Sequence, residues 1–328
     1  VQRAAGGGRR AAGGEPEWQA ASQSGDGAGP LDCGAVVRLG INLPTFDPLR
    51  VGGRPKFVEA ARLAEDSGFE AVWVGDHLHV PSPVYDSTVA LSAVAATTTH
   101  VKLGFGVMLL GLRQPAWVAK QLTTIDALAP GRLLLGVGVG GEFPAEFEAL
   151  GLNVRQRGRL LDQALAELPD WLQGRSTPPL SPTISALPPI WIGGRSEAAL
   201  QRAARVGDGW LCTWLSPEKV TELGDTLAEL AAAAGRPKPT LGLAISVHVD
   251  ANEGRAREQA EDYTQAMYGM PFEKVARYTP VGSAERVAER IKAYADAGVE
   301  EFVLTPLTGE PTAQIPRLAE IRELISRQ

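Results

Sequence analysis

Ser67-Gly68-Phe69-Glu70-Ala71-Val72-Trp73-Val74-Gly75-Asp76-His77 is the stretch that decides the fold. Upstream of it, Phe57, Ala60, Ala61 and Ala64 fall on one face of a helical pattern, and Pro55 suits a first turn. Gly68 past the last turn is a helix stop. The run Ala71-Val72-Trp73-Val74 that follows is apolar on both faces. A strand with one wet face alternates instead, so this one belongs to a parallel sheet covered by helices. The succession returns at Ala297-Gly298-Val299-Glu300-Glu301-Phe302-Val303-Leu304, again a helix stop followed by a buried strand.

Working outward, strands are expected at 38–43, 70–75, 101–107, 132–137, 189–193, 209–213, 241–249 and 301–305, with helical patterns between them. Pro115 opens one helix, lined by Val118, Leu122, Ile125 and Leu128. Ser283 caps another, which carries Val287, Ile291 and Tyr294 and stops at Gly298. Eight such units predict an α/β fold, a (β/α)8 TIM barrel over residues 36–328; a doubly wound open sheet is the alternative. The stretches 141–157 and 251–279 exceed a bare barrel and are read as insertions after strands 4 and 7. Such excursions lie at the C-terminal face, where barrel sites are built. Residues 1–35 are Gly/Ala-rich and hold little that fills a core, so a disordered tail is expected there.

The 328 residues carry 32 basic and 38 acidic side chains, a net charge of −6, and 44% are hydrophobic. This balance offers no overall attraction for nucleic acid or an anionic membrane, and no apolar run has the length of a membrane span. Cys33 and Cys212 belong to no metal-spaced cluster, which suits a reducing, cytoplasmic home.

Asp76 and His77 stand where a buried strand ends, the position at which a barrel places reactive groups. The imidazole can exchange a proton near neutral pH, and the adjacent carboxylate is expected to set its tautomer; the alternative is a structural hydrogen-bonded pair. His77 and His79 also have metal-ligand spacing, but the chain has four His in all, with His100 at the wrong end of the barrel and His248 late in strand 7. No metal is expected. Gly136, Gly138 and Gly141 satisfy GxGxxG literally, yet a loop follows rather than a helix, against a dinucleotide fingerprint. Gly138 and Gly140 either let a flat ring or a phosphate approach the backbone or pack the strand. Gly193, Gly194 and Arg195 precede a helix and form an anion corner, or a simple turn with a surface Arg. Arg113, Arg155, Arg157 and Arg159 would add charge at the rim. Gly104 and Gly106 inside one strand signal a bulge or a close ligand. Trp210 and Trp214 either wall a pocket or fill the core.

Five segments, LGINLP from Leu39, AEDSGFEAVWVGDH from Ala64, the long run from Leu103 to Gly151, PPIWIGGRSEAALQRAARVGDGW from Pro188 and GSAERVAERIKAYADAGVEEFVL from Gly282, together resemble the bacterial luciferase-like family of flavin- and deazaflavin-dependent oxidoreductases. The resemblance implies a flavin ring at the strand C-termini and a cis peptide at Gly106-Val107 forming a bulge behind it. It implies the cofactor phosphate on Gly193, Gly194 and Arg195, and Asp76 and His77 beside the reactive carbon. Glu142 stands in the loop where some relatives supply a proton donor, with one extra Gly here. The run GVGVGGEFPAEFEALG looks most similar to members using coenzyme F-420, so the deazaflavin is expected, with FMN as the alternative. With F-420 the enzyme would transfer a hydride to or from a small organic substrate, His77 supplying the proton. With FMN it would be a monooxygenase using O2 and a partner flavin reductase. A catalytically silent flavin-binding relative is the third reading. The resemblance also implies a homodimer.

Overall fold

In a computed structural model, which describes residues 37–326, the two helix stops Gly68 and Gly298 both take left-handed backbone, with φ of 79° and 97°. The expectation for residues 1–35, and Cys33 with it, falls outside the described residues. The strands are β1 (Arg38–Asn42), β2 (Ala71–Val74), β3 (Lys102–Phe105), β4 (Leu133–Val137), β5 (Ile190–Gly193), β6 (Gly209–Thr213), β7 (Thr240–Val249), β8 (Val281–Gly282) and β9 (Glu301–Pro306). Between and after them run α1 (Phe57–Asp66), α2 (Ser87–Ala95), α3 (Pro115–Leu128), α4 (Ala145–Ala149), α5 (Arg157–Leu172), α6 (Glu197–Val206), α7 (Pro217–Ala233), α8 (Glu253–Tyr268), α9 (Ala284–Asp296) and α10 (Pro311–Ser326).

β1 to β7 pair in order, all parallel, and β9 closes the ring by pairing with both β7 and β1. The result is the eight-stranded (β/α)8 barrel rather than an open sheet. The ninth strand, β8, was not expected; its two residues extend the end of β7 at His248↔Val281 and Val249↔Gly282. The short α4 stands between β4 and α5, and α8 between β7 and α9, both on the C-terminal side of the strands.

Helices and strands bury one continuous apolar layer between them. Ala60, Ala61 and Ala64 of α1 and Val118, Leu122 and Ile125 of α3 are fully buried, as their spacing predicts. Leu128 is the exception at 48% exposed; the chain has left the helix by Ala129, which takes the buried place. The barrel interior is a second, smaller cluster of Ala71, Trp73, Trp191, Leu211 and Val303. Trp73 and Trp191 meet edge to face, centroids 5.9 Å apart. Glycines on the flanking strands admit these indoles: a Cβ at Gly104 would lie 2.2 Å from Trp73, and one at Gly209 2.3 Å from Trp191. Gly104 therefore answers to a neighbouring tryptophan, not to a bulge or a ligand.

Candidate active site

β2 ends buried, and Gly75-Asp76-His77 carries the chain onto the barrel mouth. The Asp76 carboxylate turns away from His77. Its Oδ1 accepts from Ser87 Oγ at 2.7 Å and from Arg113 Nη2 at 2.5 Å. Its Oδ2 accepts from the Leu109 amide at 2.9 Å and from Arg113 Nε at 3.3 Å. Both oxygens are thus spent on tying β2 to the start of α2 and to the segment after β3. Arg113 is no free rim cation; although burial works against its charge, Asp76 and Asp86 raise its pKa.

The carboxylate that does reach His77 is Glu146, from α4, 69 residues downstream. His77 Nδ1 lies 3.0 Å from Oε2 and 3.2 Å from Oε1. The Leu78 and His79 amides donate to Oε1 at 2.6 and 3.1 Å. Glu146 has no exposed surface. Burial pushes its carboxyl up, but the bond from His77, the two amides and the His77 charge together carry it below the usual range. The expectation that Asp76 sets the His77 tautomer is corrected: sequence neighbours at a strand end point different ways, and the insertion after β4 brings in the partner. Glu142, Glu146 and Glu148 look alike in the sequence. The usable signal was Phe147, whose burial turns one side of that short helix inward.

The His77 ring is held between two aromatic edges, Phe143 at 5.3 Å and Phe46 at 6.0 Å. Its side chain keeps 18% of its surface open, and among the described residues Nε2 has no hydrogen-bond partner. Phe46 also walls a solvent-open cleft at the ends of β1 and β9, lined as well by Leu43, Tyr85, Tyr263 and Thr308. His79 is exposed. His248 is buried, with Nδ1 against the Leu307 carbonyl at 2.9 Å, and burial lowers its pKa.

The Gly106–Val107 peptide is cis. The Val107 side chain lies over glycines of two other strands: a Cβ at Gly138 would meet it at 2.5 Å and one at Gly193 at 2.9 Å. Gly136 faces the Phe105 carbonyl at 2.0 Å on the same measure, and Gly140 faces Leu109 at 3.1 Å. These glycines accordingly serve the segment after β3. After β5, Gly194 takes φ 120° and donates its amide to the Leu211 carbonyl at 3.2 Å. The exposed Arg195 donates Nη1 to the Trp214 carbonyl at 3.2 Å and sits over the Trp214 ring. Ser196 caps α6. Trp210 is core, its Nε1 on the Gly194 carbonyl at 2.6 Å, whereas Trp214 is half-buried and packs against Tyr268 of α8. Glu142 is exposed; desolvation first and then its charge push the Tyr268 phenol up, which puts Glu142 on the same rim. Arg155, Arg157 and Arg159 are exposed.

Residues 37–301 match the family described as luciferase-like monooxygenase. The chain belongs to that family. Among similar luciferase-like sequences is an F420-dependent glucose-6-phosphate dehydrogenase of Beutenbergia cavernae, 31% identical over 304 residues, covering 79% of this chain and 89% of the relative. Another protein of that description, from Kineococcus radiotolerans, is 28% identical over 292 residues, 76% of this chain and 86% of its own. Among solved structures, an F420-dependent secondary alcohol dehydrogenase in complex with an F420-acetone adduct superposes with TM-score 0.78 at 18% identity, covering 88% of this chain and 99% of that one. A long-chain alkane monooxygenase superposes with TM-score 0.70 at 18% identity, covering 89% and 92%. These likenesses make this luciferase-like chain an oxidoreductase; those at 18% identity establish the barrel alone.

Proposed function

We propose that the mouth of this barrel binds a deazaflavin, coenzyme F420, and moves a hydride to or from a small organic substrate while His77 carries the accompanying proton. The observation that carries this reading is an imidazole whose Nδ1 is held by a buried carboxylate and whose Nε2 is open at the C-terminal ends of the strands. The F420 dependence named for the dehydrogenase relatives supports the choice of cofactor.

The residues present fit such a group. The corner after β5 offers backbone without a side chain at Gly194, the Arg195 guanidinium, and the amides at the start of α6, a donor set suited to a phosphate. Gly193, Gly194 and Arg195 would hold the anionic tail there. Gly106, Val107, Gly138 and Gly140 would lie behind the ring. Bound in this place, the deazaflavin would supply a carbon that gives or takes a hydride. His77 Nε2 takes a proton from a substrate hydroxyl in oxidation and returns it in reduction. Phe46 and Phe143 keep its ring from turning and shield it from water. Asp76 acts at one remove, holding the Leu109 amide and Arg113, and Glu142 at the rim is the second candidate for moving a proton.

The second reading is an FMN monooxygenase fed reduced flavin by a partner reductase. The family description favours it. A homodimer is part of either reading: Trp117 of α3 and Val89 of α2, 70% and 68% exposed on helices that pack together, are apolar side chains available to an interface. Titrating the purified protein with each cofactor decides between them. Submicromolar binding of the deazaflavin with reduction of carbonyl substrates supports the first. Oxygen consumption with reduced FMN overturns it in favour of the second, and binding without turnover on a substrate panel overturns both.

A further inference from the structure

Glu146 does two separable jobs with its two oxygens. Oε1 accepts both backbone amides, Leu78 at 2.6 Å and His79 at 3.1 Å, and so fixes the course of the chain just past His77, and it also lies 3.2 Å from His77 Nδ1. Oε2 makes its single recorded bond, at 3.0 Å, to His77 Nδ1. The group is fully buried and stays ionised, so it can only accept. An imidazole nitrogen facing an acceptor-only partner must carry the hydrogen, and in a neutral ring the other nitrogen then keeps its lone pair. No other side chain competes for this choice: Asp76 is saturated by Ser87, Leu109 and Arg113, and Nε2 has no partner among the described residues.

We propose that Glu146 is a positioning residue that holds neutral His77 as the Nδ1–H tautomer, so that Nε2 meets the substrate as a proton acceptor. This rests on the reading of the mouth as an oxidoreductase site and assigns the side of the ring that works there. In alcohol oxidation the O–H bond would break as the N–H bond forms at Nε2, a bound deazaflavin supplying the two-electron acceptor for the hydride on the carbinol carbon. In carbonyl reduction the imidazolium returns that proton to the oxygen. A carboxylate at the far nitrogen stabilises the imidazolium in both directions, as it does behind many working histidines.

The geometry supplies a substitution that separates the two jobs. In Glu146→Gln, Oε1 can still accept from Leu78 and His79, and the new NH2 then faces His77 Nδ1. Nδ1 lies nearer that NH2, in the 3.0 Å place, than Oε1, at 3.2 Å, so the ring is expected to accept at Nδ1 and to carry its hydrogen on Nε2. The variant keeps the backbone anchors and reverses the ring. The test is long-range 1H–15N correlation spectroscopy of cofactor-free protein with labelled histidine at about pH 8, above the ordinary imidazole range. Loss of one of the four histidine patterns in His77→Asn assigns the signal. The wild type is expected to give the Nδ1–H pattern and Glu146→Gln the Nε2–H pattern, with the other three histidines unchanged as the control for folding. An Nε2–H pattern in the wild type overturns the proposal, even if the variant fails to fold, and so does an Nδ1–H pattern retained in the variant. Turnover in Glu146→Gln should fall by about 100-fold with cofactor affinity unchanged. A wild type with the Nδ1–H pattern that binds no deazaflavin would overturn the proposed function and leave the tautomer standing.

Discussion

At the floor of the barrel, where β9 begins, the Glu301 carboxylate meets Arg38 Nε at 2.8 Å, and the Leu39 amide donates to Glu70 at 2.9 Å. Nearby, Arg132 gives Nε to the Val101 carbonyl and its terminal nitrogens to Thr98, while Glu65 takes the amides at positions 99 to 101. Charge there closes strand ends. At the mouth, Asp76 does the same, but the Glu146–His77 pair stops one bond short and leaves a titratable nitrogen open. Both ends bury carboxylates. On the proposed function, what would make the mouth the working end is a single ring nitrogen left without a partner among the described residues.

The largest expected effect belongs to that nitrogen. His77→Ala should cut turnover of any substrate a panel of alcohols and carbonyls identifies by ~10²–10⁴, while its melting temperature stays close to wild type. Steady-state kinetics and calorimetry together check this, and a variant with full activity removes His77 from the mechanism. Next comes Asp76→Ala, which should behave like a floor residue: it strands Arg113 and should cost about 3 kcal/mol of stability in urea unfolding. Equal stability would mean that the mouth tolerates loss of its anchor and that the contrast is drawn in the wrong place. Gly136→Ala should cost about 2 kcal/mol, because the Cβ would stand 2.0 Å from the Phe105 carbonyl, where backbone must move.

The smallest effect, read as a slope per pH unit, is electrostatic and sits on the floor. Burial, opposed by Arg38, pushes the Glu301 carboxyl up to about 7, with Glu70 and Glu300 adding to the rise. The unfolded chain releases that proton near the ordinary ~4.3, so between these values the folded state holds the extra proton. Stability relative to Glu301→Gln therefore falls as pH rises from about 4.3 to about 7, by about 1.4 kcal/mol for each pH unit crossed. Parallel pH profiles of the two proteins would expose the slope, and identical profiles would show that the pair is ionised throughout.

Much of the fold was legible before any coordinates. Apolar runs covered on both faces, the stops at Gly68 and Gly298, the cap at Ser283 and the first-turn Pro115 are local signals read within a turn or two of chain. The two-residue β8 was invisible because two residues carry no period. In the site, His77 was legible from its place at a strand end, whereas its partner was assigned to the neighbour in sequence. Gly104 was misread for the same reason, since the Trp73 ring that requires it comes from the adjacent strand.

The order of residues was enough to establish an eight-unit barrel and to put a histidine at its open end, because helix stops, strand burial and chain direction are consequences of short-range pattern. Which carboxylate touches that histidine, which nitrogen is left open, and which glycines serve a tryptophan or Val107 were decided by the closed ring. Closure brings residues 77 and 146 within hydrogen-bond distance, and no periodicity along the chain encodes a contact made across 69 positions.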